Sequence, residues 1–519
     1  LRPDRFNLIT GNCGCGKSTF VARGLIEKYR EAFGVQLEER EVMVVTSRAV
    51  TRAQFANDND NVEELDIRDE DLLSYFNDGD DAGLEELHAS KIPIMTYDRF
   101  IHLVFGRKKK YGKKVLSHIK VFVFDECQAL MVDRYIHGME YLCTWVQERV
   151  VSGEDTYFIG ITATPAPFLY VNEATVNMPV NVVNEEVLVP YKAAHVICTD
   201  FPGALEMLRT HELPGKNIFM TTKKDECGIV YQLVPDSAIV IGVNNKDAQI
   251  QCERNLKTRQ DRDSPFDVVY QKYMDYIRGV IIDSGRIPDS VSTMNTLLKK
   301  QSVRNVNTLV TTSTLREGFT LREGSGVRNV FVLGTDDLNI PQFLGRARYN
   351  VDNLVVVRPS VVYGDQLMRE YYMRSLWEFD DFVAGKDDSW FVNMESLFSC
   401  GPDDVEVRPE LFEKDESNAR LQKMVDRVLV WSLIPQVMKY LSTDEHEVCL
   451  YGENSKALVD AAYKANIIYG KSRHSYSIKS VAKAFESAGC RVKKKVPYRM
   501  DGKRRVGTVI YAPKDYKEE

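Results

Sequence analysis

Across the first 360 residues, short apolar runs rich in β-branched side chains alternate with segments of helical period. The runs at 6–10, 42–46, 92–96, 120–124 and 157–162 form one group. Those at 195–199, 217–222, 238–242, 308–312, 329–334 and 353–357 form a second. Near-continuous apolar runs mark strands buried on both faces, as in parallel sheets, and the intervening helices supply the crossovers. The pattern predicts two α/β domains with parallel sheets, joined around 184–190. Beyond residue 360 the character changes. Residues 360–395 concentrate Tyr371, Tyr372, Trp377, Phe379, Phe382, Trp390 and Phe391 and read as helices that brace the two domains. The acidic stretch 401–417, with Pro402 and Pro409, reads as a linker, and a last domain starts near Leu421. In that domain Ile478, Val481, Ala482 and Phe485 keep helical spacing, with Ser477 as N-cap and Gly489 at C′. Two strands around Asp501-Gly502 then predict a hairpin. The division is 1–185, 186–360, 361–420 and 421–519.

Composition adds limits. With 519 residues, 44% apolar and 28% charged, the chain has the make-up of ordinary globular domains, three or four of them. No run approaches the ~18 apolar residues of a membrane span, so no membrane partner is expected. The opening Leu1-Arg2-Pro3-Asp4-Arg5 shows no secretory pattern, and position 1 is not Met. Ten cysteines are scattered without a C-x-x-C pair, which argues against a zinc ribbon or a disulfide framework and fits reduced thiols in a cytosolic or nuclear compartment. Charge is uneven. Residues 471–519 hold 14 Lys or Arg against 5 Asp or Glu, a local +9 on a chain of −7, so the remainder carries −16. A basic end on an acidic body points to a polyanion partner. The acidic stretch 57–86 reads as a solvated insertion.

The first candidate chemistry is Gly11-Asn12-Cys13-Gly14-Cys15-Gly16-Lys17-Ser18, a G-x-x-x-x-G-K-S loop between a strand and a helix that opens at Thr19. Glycines let backbone N–H groups turn toward phosphates, and the helix N-terminus adds its positive end. Gly11 through Thr19 are therefore the nucleotide-binding candidates, with Lys17 on the terminal phosphates and Ser18 on Mg²⁺. Cys13 and Cys15 read as small loop residues. The second is Asp125-Glu126, directly after the apolar run Val121-Phe122-Val123-Phe124. Asp125 would position the metal and Glu126 the attacking water. Taken alone, this pair also reads as the N-cap of the next helix.

The ordered set resembles superfamily 2 helicases of the DExH type over residues 5–360. Lys17, Asp125-Glu126 and Ile161-Thr162-Ala163-Thr164-Pro165 are similar to motifs I, II and III. The segment Val45-Thr46-Ser47-Arg48-Ala49-Val50-Thr51-Arg52-Ala53-Gln54 is similar to motif Ia, and Met95-Thr96-Tyr97-Asp98-Arg99-Phe100 stands where another strand-contacting motif is expected. Leu309-Val310-Thr311-Thr312 through Glu317-Gly318-Phe319 is similar to motif V, and Pro341-Gln342-Phe343-Leu344-Gly345-Arg346-Ala347-Arg348 to motif VI. The resemblance implies two tandem RecA-like domains that clamp ATP with Mg²⁺ and move on nucleic acid. It implies Gln342 at the γ-phosphate or the water, and Arg346 or Arg348 as the arginine finger. Glu317 and Gly318 would link nucleotide to strand; Arg48, Thr96 and Thr312 would contact the strand. Thr162 and Thr164 would couple the two. Two departures stand out: Tyr349 replaces the usual second arginine of motif VI, and Cys127-Gln128 replaces the usual Ala-Asp or Ala-His.

The terminal helix and basic hairpin resemble the winged-helix modules that end some viral and phage replication proteins. This implies phosphate contacts from Lys493, Lys494, Lys495, Arg499, Lys503, Arg504 and Arg505. A solvated hairpin, or one used for protein contact, is the plainer reading of the same charge. Together these imply a nucleic-acid-dependent ATPase of helicase type in replication, repair or remodelling, acting with replication or repair proteins. Single-stranded or forked DNA is favoured over RNA, and a viral or phage origin in a host cell is implied. The rival is an ATP-driven clamp or protein remodeler that does not separate strands.

Overall fold

The computed structural model describes residues 1–11, 16–47, 51–52, 55–56, 59–64, 91–106, 113, 116–133, 138–153, 155–184, 191–222, 224–234, 236–240, 303, 306–312, 320–359, 362, 364–408, 420, 447–450, 452–464, 473–487, 490–500 and 503–511. The chain divides into two compact units. One comprises Leu1–Thr199, Leu213–Thr222 and Val291–Arg408; the other comprises Asp200–Glu212, Lys223–Ser290 and Pro409–Glu519.

The first unit contains two RecA-like parallel sheets. Its first sheet is built from β1 (Phe6–Thr10), β2 (Val42–Thr46), β3 (Val62–Glu64), β4 (Ile92–Thr96), β5 (Val121–Asp125), β6 (Tyr157–Thr162) and β7 (Val180–Asn184). These lie in the order β3-β4-β2-β5-β6-β1-β7, every pair parallel. Strands β1, β2 and β5 are buried at every position, as their largely apolar sequences favour, and the buried Asn7 of β1 donates to Phe158 O (3.2 Å). Aromatic side chains fill one face: Phe6 stacks on Phe168 at 5.3 Å and Phe122 on Phe158 at 5.4 Å. Gly160 on β6 makes room for this layer, since a Cβ there would stand 2.4 Å from the Phe6 ring.

The second sheet of this unit uses β8 (Ala193–Asp200), β9 (Lys216–Met220), β11 (Thr308–Thr311), β12 (Val327–Leu333), β13 (Val351–Arg358) and β14 (Glu406–Val407), in the order β11-β9-β12-β13-β8-β14. A buried amide ladder crosses its middle. Asn353 Nδ2 donates to Asn329 Oδ1 (2.7 Å), Asn329 Nδ2 to Asn217 Oδ1 (2.9 Å), and Asn217 Nδ2 to Thr308 Oγ1 (3.3 Å). Such a ladder penalises any register slip, because each buried amide would lose its partner.

The expected brace is present within this unit as the helices Gln366–Val383 and Ser389–Met394. Asp365 caps the longer one by accepting from Met368 N at 3.0 Å. Met368 joins the aromatic core of the first sheet, and Tyr371 meets Tyr170 at 5.2 Å. Toward the second sheet, Ser375 Oγ and Trp390 Nε1 both donate to Thr335 O, and Arg358 pairs with Asp380 through two 2.6 Å contacts. The helix thus touches both sheets.

Two stretches read differently from the structure. Within the supposed linker, Glu406–Val407 pairs in parallel with Ile197 and Cys198 of β8. Inside the supposed solvated insertion, Val62–Glu64 pairs with β4. Strands of two or three residues carry no readable period; the neighbouring sheet edge creates them.

In the second unit are the helices Phe201–Thr210 and Lys224–Leu233 and the strand β10 (Ser237–Val240). Its end is an antiparallel sheet of β15 (Glu447–Leu450), β16 (Arg491–Met500) and β17 (Lys503–Tyr511), ordered β15-β17-β16, with the helices Gly452–Lys464 and Ile478–Ser487. Ser477 Oγ accepts from Ser480 N at 3.2 Å, the capping expected there. Met500 pairs with Lys503 at the end of the hairpin; Asp501-Gly502, expected to turn it, and the expected C′ residue Gly489 lie outside the described residues. Among the described residues, no helix is long and apolar enough to cross a membrane.

Candidate active site

In a parallel sheet the carboxyl ends of the strands form one edge, where ligands bind in α/β folds. Register places the candidates there. Thr10 pairs with Thr162 and Asp125 with Ile161, while Thr46 pairs with Thr96. The ends of β1, β5, β6 and β4 therefore present Gly11, Asp125-Glu126, Thr162 and Thr96 on a common rim.

Gly16 holds φ +91°, a left-handed conformation that L side chains rarely adopt, although a Cβ would meet nothing within 4 Å. Conformation, not space, demands glycine here. Lys17 follows at the start of the helical stretch Lys17–Thr19, Phe20–Gly24 and Leu25–Phe33, whose middle turn is π-helical. Its Nζ donates to Gly11 O at 2.5 Å, which brings the ammonium back to the end of β1. Ser18 is half-buried and Thr19 exposed.

Glu126 is the centre of the site. It sits at φ 50°, a costly position for a side chain with Cβ. Its Oε2 accepts from Gln128 Nε2 (2.9 Å) and from Gln342 Nε2 (2.8 Å), and its Oε1 faces Arg346 Nη2 at 3.7 Å. Gln342 lies in the short helix Asn339–Leu344, beyond β12 of the second sheet. Arg346 is only 7% exposed and donates from Nε to Gln342 O and from Nη2 to Gln342 Oε1, both at 2.9 Å. Gln342 Nε2 also reaches Thr164 Oγ1 at 3.3 Å. Motif-like segments 216 residues apart in sequence are thus in direct contact.

Oxygen donors suit a hard cation at this rim. Asp125 is buried at 6% exposure, with Tyr97 OH donating to its backbone carbonyl at 3.3 Å. Cys127 offers no soft ligand: burial first, then the neighbouring Glu126 and Asp125 charges, push its thiol well above the ordinary range. Among the described residues no three His, Cys, Asp or Glu converge. A single carboxylate and a hydroxyl form a sparse oxygen donor set, the kind that suits Mg²⁺ when substrate phosphates and water complete its shell.

Next to the Gln342 helix lies a feature the sequence did not reveal. Tyr371 of the brace donates to Asp337 Oδ1. Burial raises the Asp337 carboxyl to about 6; the tyrosine bond opposes the shift and neighbouring Asp336 adds to it. Only the folded chain brings these residues together.

Of the other candidates, Arg348 is half-buried and donates its backbone N–H to Leu321 O (3.0 Å), while Arg346 O accepts from Leu321 N (2.8 Å). Thr96 is half-buried and Thr312 buried at 5% exposure. Asn12, Cys13, Gly14, Cys15, Arg48, Glu317 and Gly318 lie outside the described residues. In the hairpin, Lys493, Lys494, Lys495, Lys503, Arg504 and Arg505 are exposed, and Arg499 pairs in register with Arg504. Lys494 is engaged by Glu486 at 3.0 Å, and Lys495 takes φ 60° at a bulge between Lys493 and Val496. Gln128, absent from the sequence-derived site, is 1% exposed and bonded to Glu126. Its signal was its place in the tetrad Asp125-Glu126-Cys127-Gln128.

Among solved structures, the chain is similar to the DUF1998 helicase MrfA bound to DNA, at 11% identity and TM-score 0.43, covering 99% of this chain and 55% of that one. This chain thus spans about half the length of MrfA. It is also similar to Mss116p bound to ssRNA and AMP-PNP (12% identity, TM-score 0.42, 90% of this chain and 82% of that one). A third is S. cerevisiae Dbp5 bound to Gle1 and IP6 (13%, 0.37, 80% and 88%). No curated protein matches the sequence. The model of the DEAD/DEAH box helicases matches residues 3–170, the stretch that holds Gly11–Ser18, Asp125-Glu126 and Thr162-Ala163-Thr164.

Proposed function

We propose that this protein is a nucleic-acid-dependent ATPase of the superfamily 2, DExH-like helicase type, a motor that grips and moves along a strand. The observation that carries the reading is the contact of Glu126 at the first sheet with Gln342 and Arg346 beyond the second. A carboxylate that orients water and an arginine that meets developing γ-phosphate charge belong within one hydrogen-bonded cluster.

In this reading Lys17 and the loop from Gly11 to Thr19 bind the phosphates, and Ser18 and Asp125 hold Mg²⁺. The metal, when bound, neutralises charge on the β- and γ-phosphates. Glu126 orients the water, Gln342 ties that carboxylate to the second domain, and Arg346 rather than Arg348 is the arginine finger. Closing and reopening of the domains with each turnover would alternate the grip on the strand. The last domain, read as a winged helix, adds affinity through its hairpin, where Arg491 stands 4.1 Å over the Tyr511 ring and the exposed lysines and arginines meet phosphates. DNA is favoured over RNA on the likeness of that module to replication modules.

The test is ATP turnover by the purified chain, alone and with single- or double-stranded DNA or RNA, beside Lys17→Ala. Strong stimulation by one polymer, lost in the variant, supports the motor and names its track. Turnover that ignores every polymer would overturn translocation in favour of a nucleotide-driven clamp or remodeler.

A further inference from the structure

The brace helix Gln366–Val383 reaches both sheets through its first turns. Met368 lies in the aromatic core of the first sheet, and Tyr371 packs against that core. The Tyr371 ring stands 5.2 Å from Tyr170, in the helix Pro165–Val171. Its hydroxyl donates to Asp337 Oδ1, which lies beyond β12 of the second sheet. Burial, and then the Asp337 charge, push this hydroxyl far above its ordinary range, so it keeps its proton and is the donor. One side chain thus has its ring on the first domain and its proton on the second. Asp337 belongs to the connection from β12 to the helix Asn339–Leu344, and three successive residues of that connection are tied down. Thr335 O accepts from Ser375 Oγ at 2.9 Å and from Trp390 Nε1 at 2.8 Å. Asp336 Oδ1 accepts from Leu338 N at 3.2 Å and Asn339 N at 2.8 Å, which starts the helix. Asp337 takes the Tyr371 proton. Ser375 and Trp390 fasten the brace to the second sheet, Met368 fastens it to the first, and Tyr371 holds both at once.

We propose that Tyr371 is a positioning residue for hydrolysis: by joining Tyr170 to Asp337 it fixes the setting of the two domains in which the Asn339–Leu344 helix stands against the first sheet. The proposal rests on the hydrolytic reading above. The helix begins two residues after Asp337 and carries Gln342, which donates to Glu126 Oε2 at 2.8 Å. A shift of the Asp337 connection relative to Tyr170 therefore moves that donor, and Arg346 behind it, away from the carboxylate. Misplacement by about 1 Å from a remote change can cost about 100-fold in rate. The bond is also one that burial makes specific. The Asp337 carboxyl, raised to about 6, is ionised at neutral pH inside the fold, and its tyrosine donor favours that charged form. Neither Tyr371 nor Asp337 belongs to the loop that binds the phosphates, so the tie acts on the rate of the chemical step and not on nucleotide affinity.

The experiment is steady-state ATP hydrolysis by the full chain with saturating stimulating polymer, comparing Tyr371→Phe, Asp337→Leu and Asp337→Asn. Tyr371→Phe keeps the ring against Tyr170 and removes only the proton. Asp337→Leu removes the acceptor at similar volume, whereas Asp337→Asn keeps an oxygen that Tyr371 can still reach. Loss of one charge-assisted bond predicts a kcat about 10-fold lower in Tyr371→Phe and in Asp337→Leu. Asp337→Asn should stay within about threefold of wild type, and the double variant Tyr371→Phe with Asp337→Leu should fall no further than the single ones. KM for ATP and affinity for a non-hydrolysable ATP analogue should stay within about twofold throughout. Wild-type kcat in Tyr371→Phe would overturn the proposal, as would an Asp337→Asn loss equal to that of Asp337→Leu. So would a joint fall of kcat, analogue affinity and melting temperature, which marks a merely structural role. Absent turnover by the unmodified chain would overturn the hydrolytic reading and this role with it, a result distinct from an active chain indifferent to Tyr371.

Discussion

Arg346→Lys and Arg346→Ala give the strongest test of the site. The guanidinium is buried and forked: Nε and Nη2 both bond Gln342 at 2.9 Å while Nη2 faces Glu126 at 3.7 Å. A lysine keeps the charge but cannot reproduce two planar donors while facing Glu126. An arginine finger is worth about 10³- to 10⁵-fold in kcat, or about 4–7 kcal/mol of barrier. Alanine should lose most of that, and lysine about 100-fold or more. Truncation also leaves Gln342 Oε1 buried and short of a partner, at a cost of about 1–3 kcal/mol in stability. The assay is kcat at saturating ATP and polymer, with analogue binding and thermal melting measured in parallel. Arg348→Ala serves as comparison. If Arg346→Ala kept kcat within about threefold while Arg348→Ala abolished it, the assignment of the finger would be wrong.

Three further outcomes are expected. Asn329→Ala strips partners from Asn217 Oδ1 and Asn353 Nδ2 and should cost about 2–4 kcal/mol in chemical denaturation; a change under about 0.5 kcal/mol would show that the ladder is idle. Asp337 has its folded carboxyl raised from 3.8 to about 6. The folded state therefore binds the extra proton between those values, and the stability this group contributes, at most about 3 kcal/mol, is present below pH 4 and lost as pH rises through 6. Asp337→Asn should flatten that slope and raise the melting temperature at pH 7.5; an unchanged slope refutes the assignment. Replacing Lys503, Arg504 and Arg505 together by alanine should lower the log–log salt slope of polymer binding by about 2–3 and leave polymer-independent turnover intact; an unchanged slope would assign the hairpin to solvent or protein contact.

The sequence alone determined the elements whose chemistry is local. Short, near-continuous apolar runs rich in β-branched residues marked the buried strands, and the G-x-x-x-x-G-K-S motif needed only the strand before it and the helix after it. Ser477 could cap its helix, and Asp501-Gly502 could join two strands, because each acts within a few residues. Tertiary structure decided everything that joins distant segments. Glu406–Val407 became a strand only because β8 offered a partner. The Asp337 carboxyl shifted because the brace buried it against Tyr371. Arg346 meets Gln342 and Glu126 because folding brings the Gln342 helix against the Asp125-Glu126 turn. Gln128 was tied to Glu126 at one end and to Thr162, 34 residues away, at the other only in the folded chain. Periodicity records which residues are buried, whereas the direction of a hydrogen bond depends on which partners burial brings together.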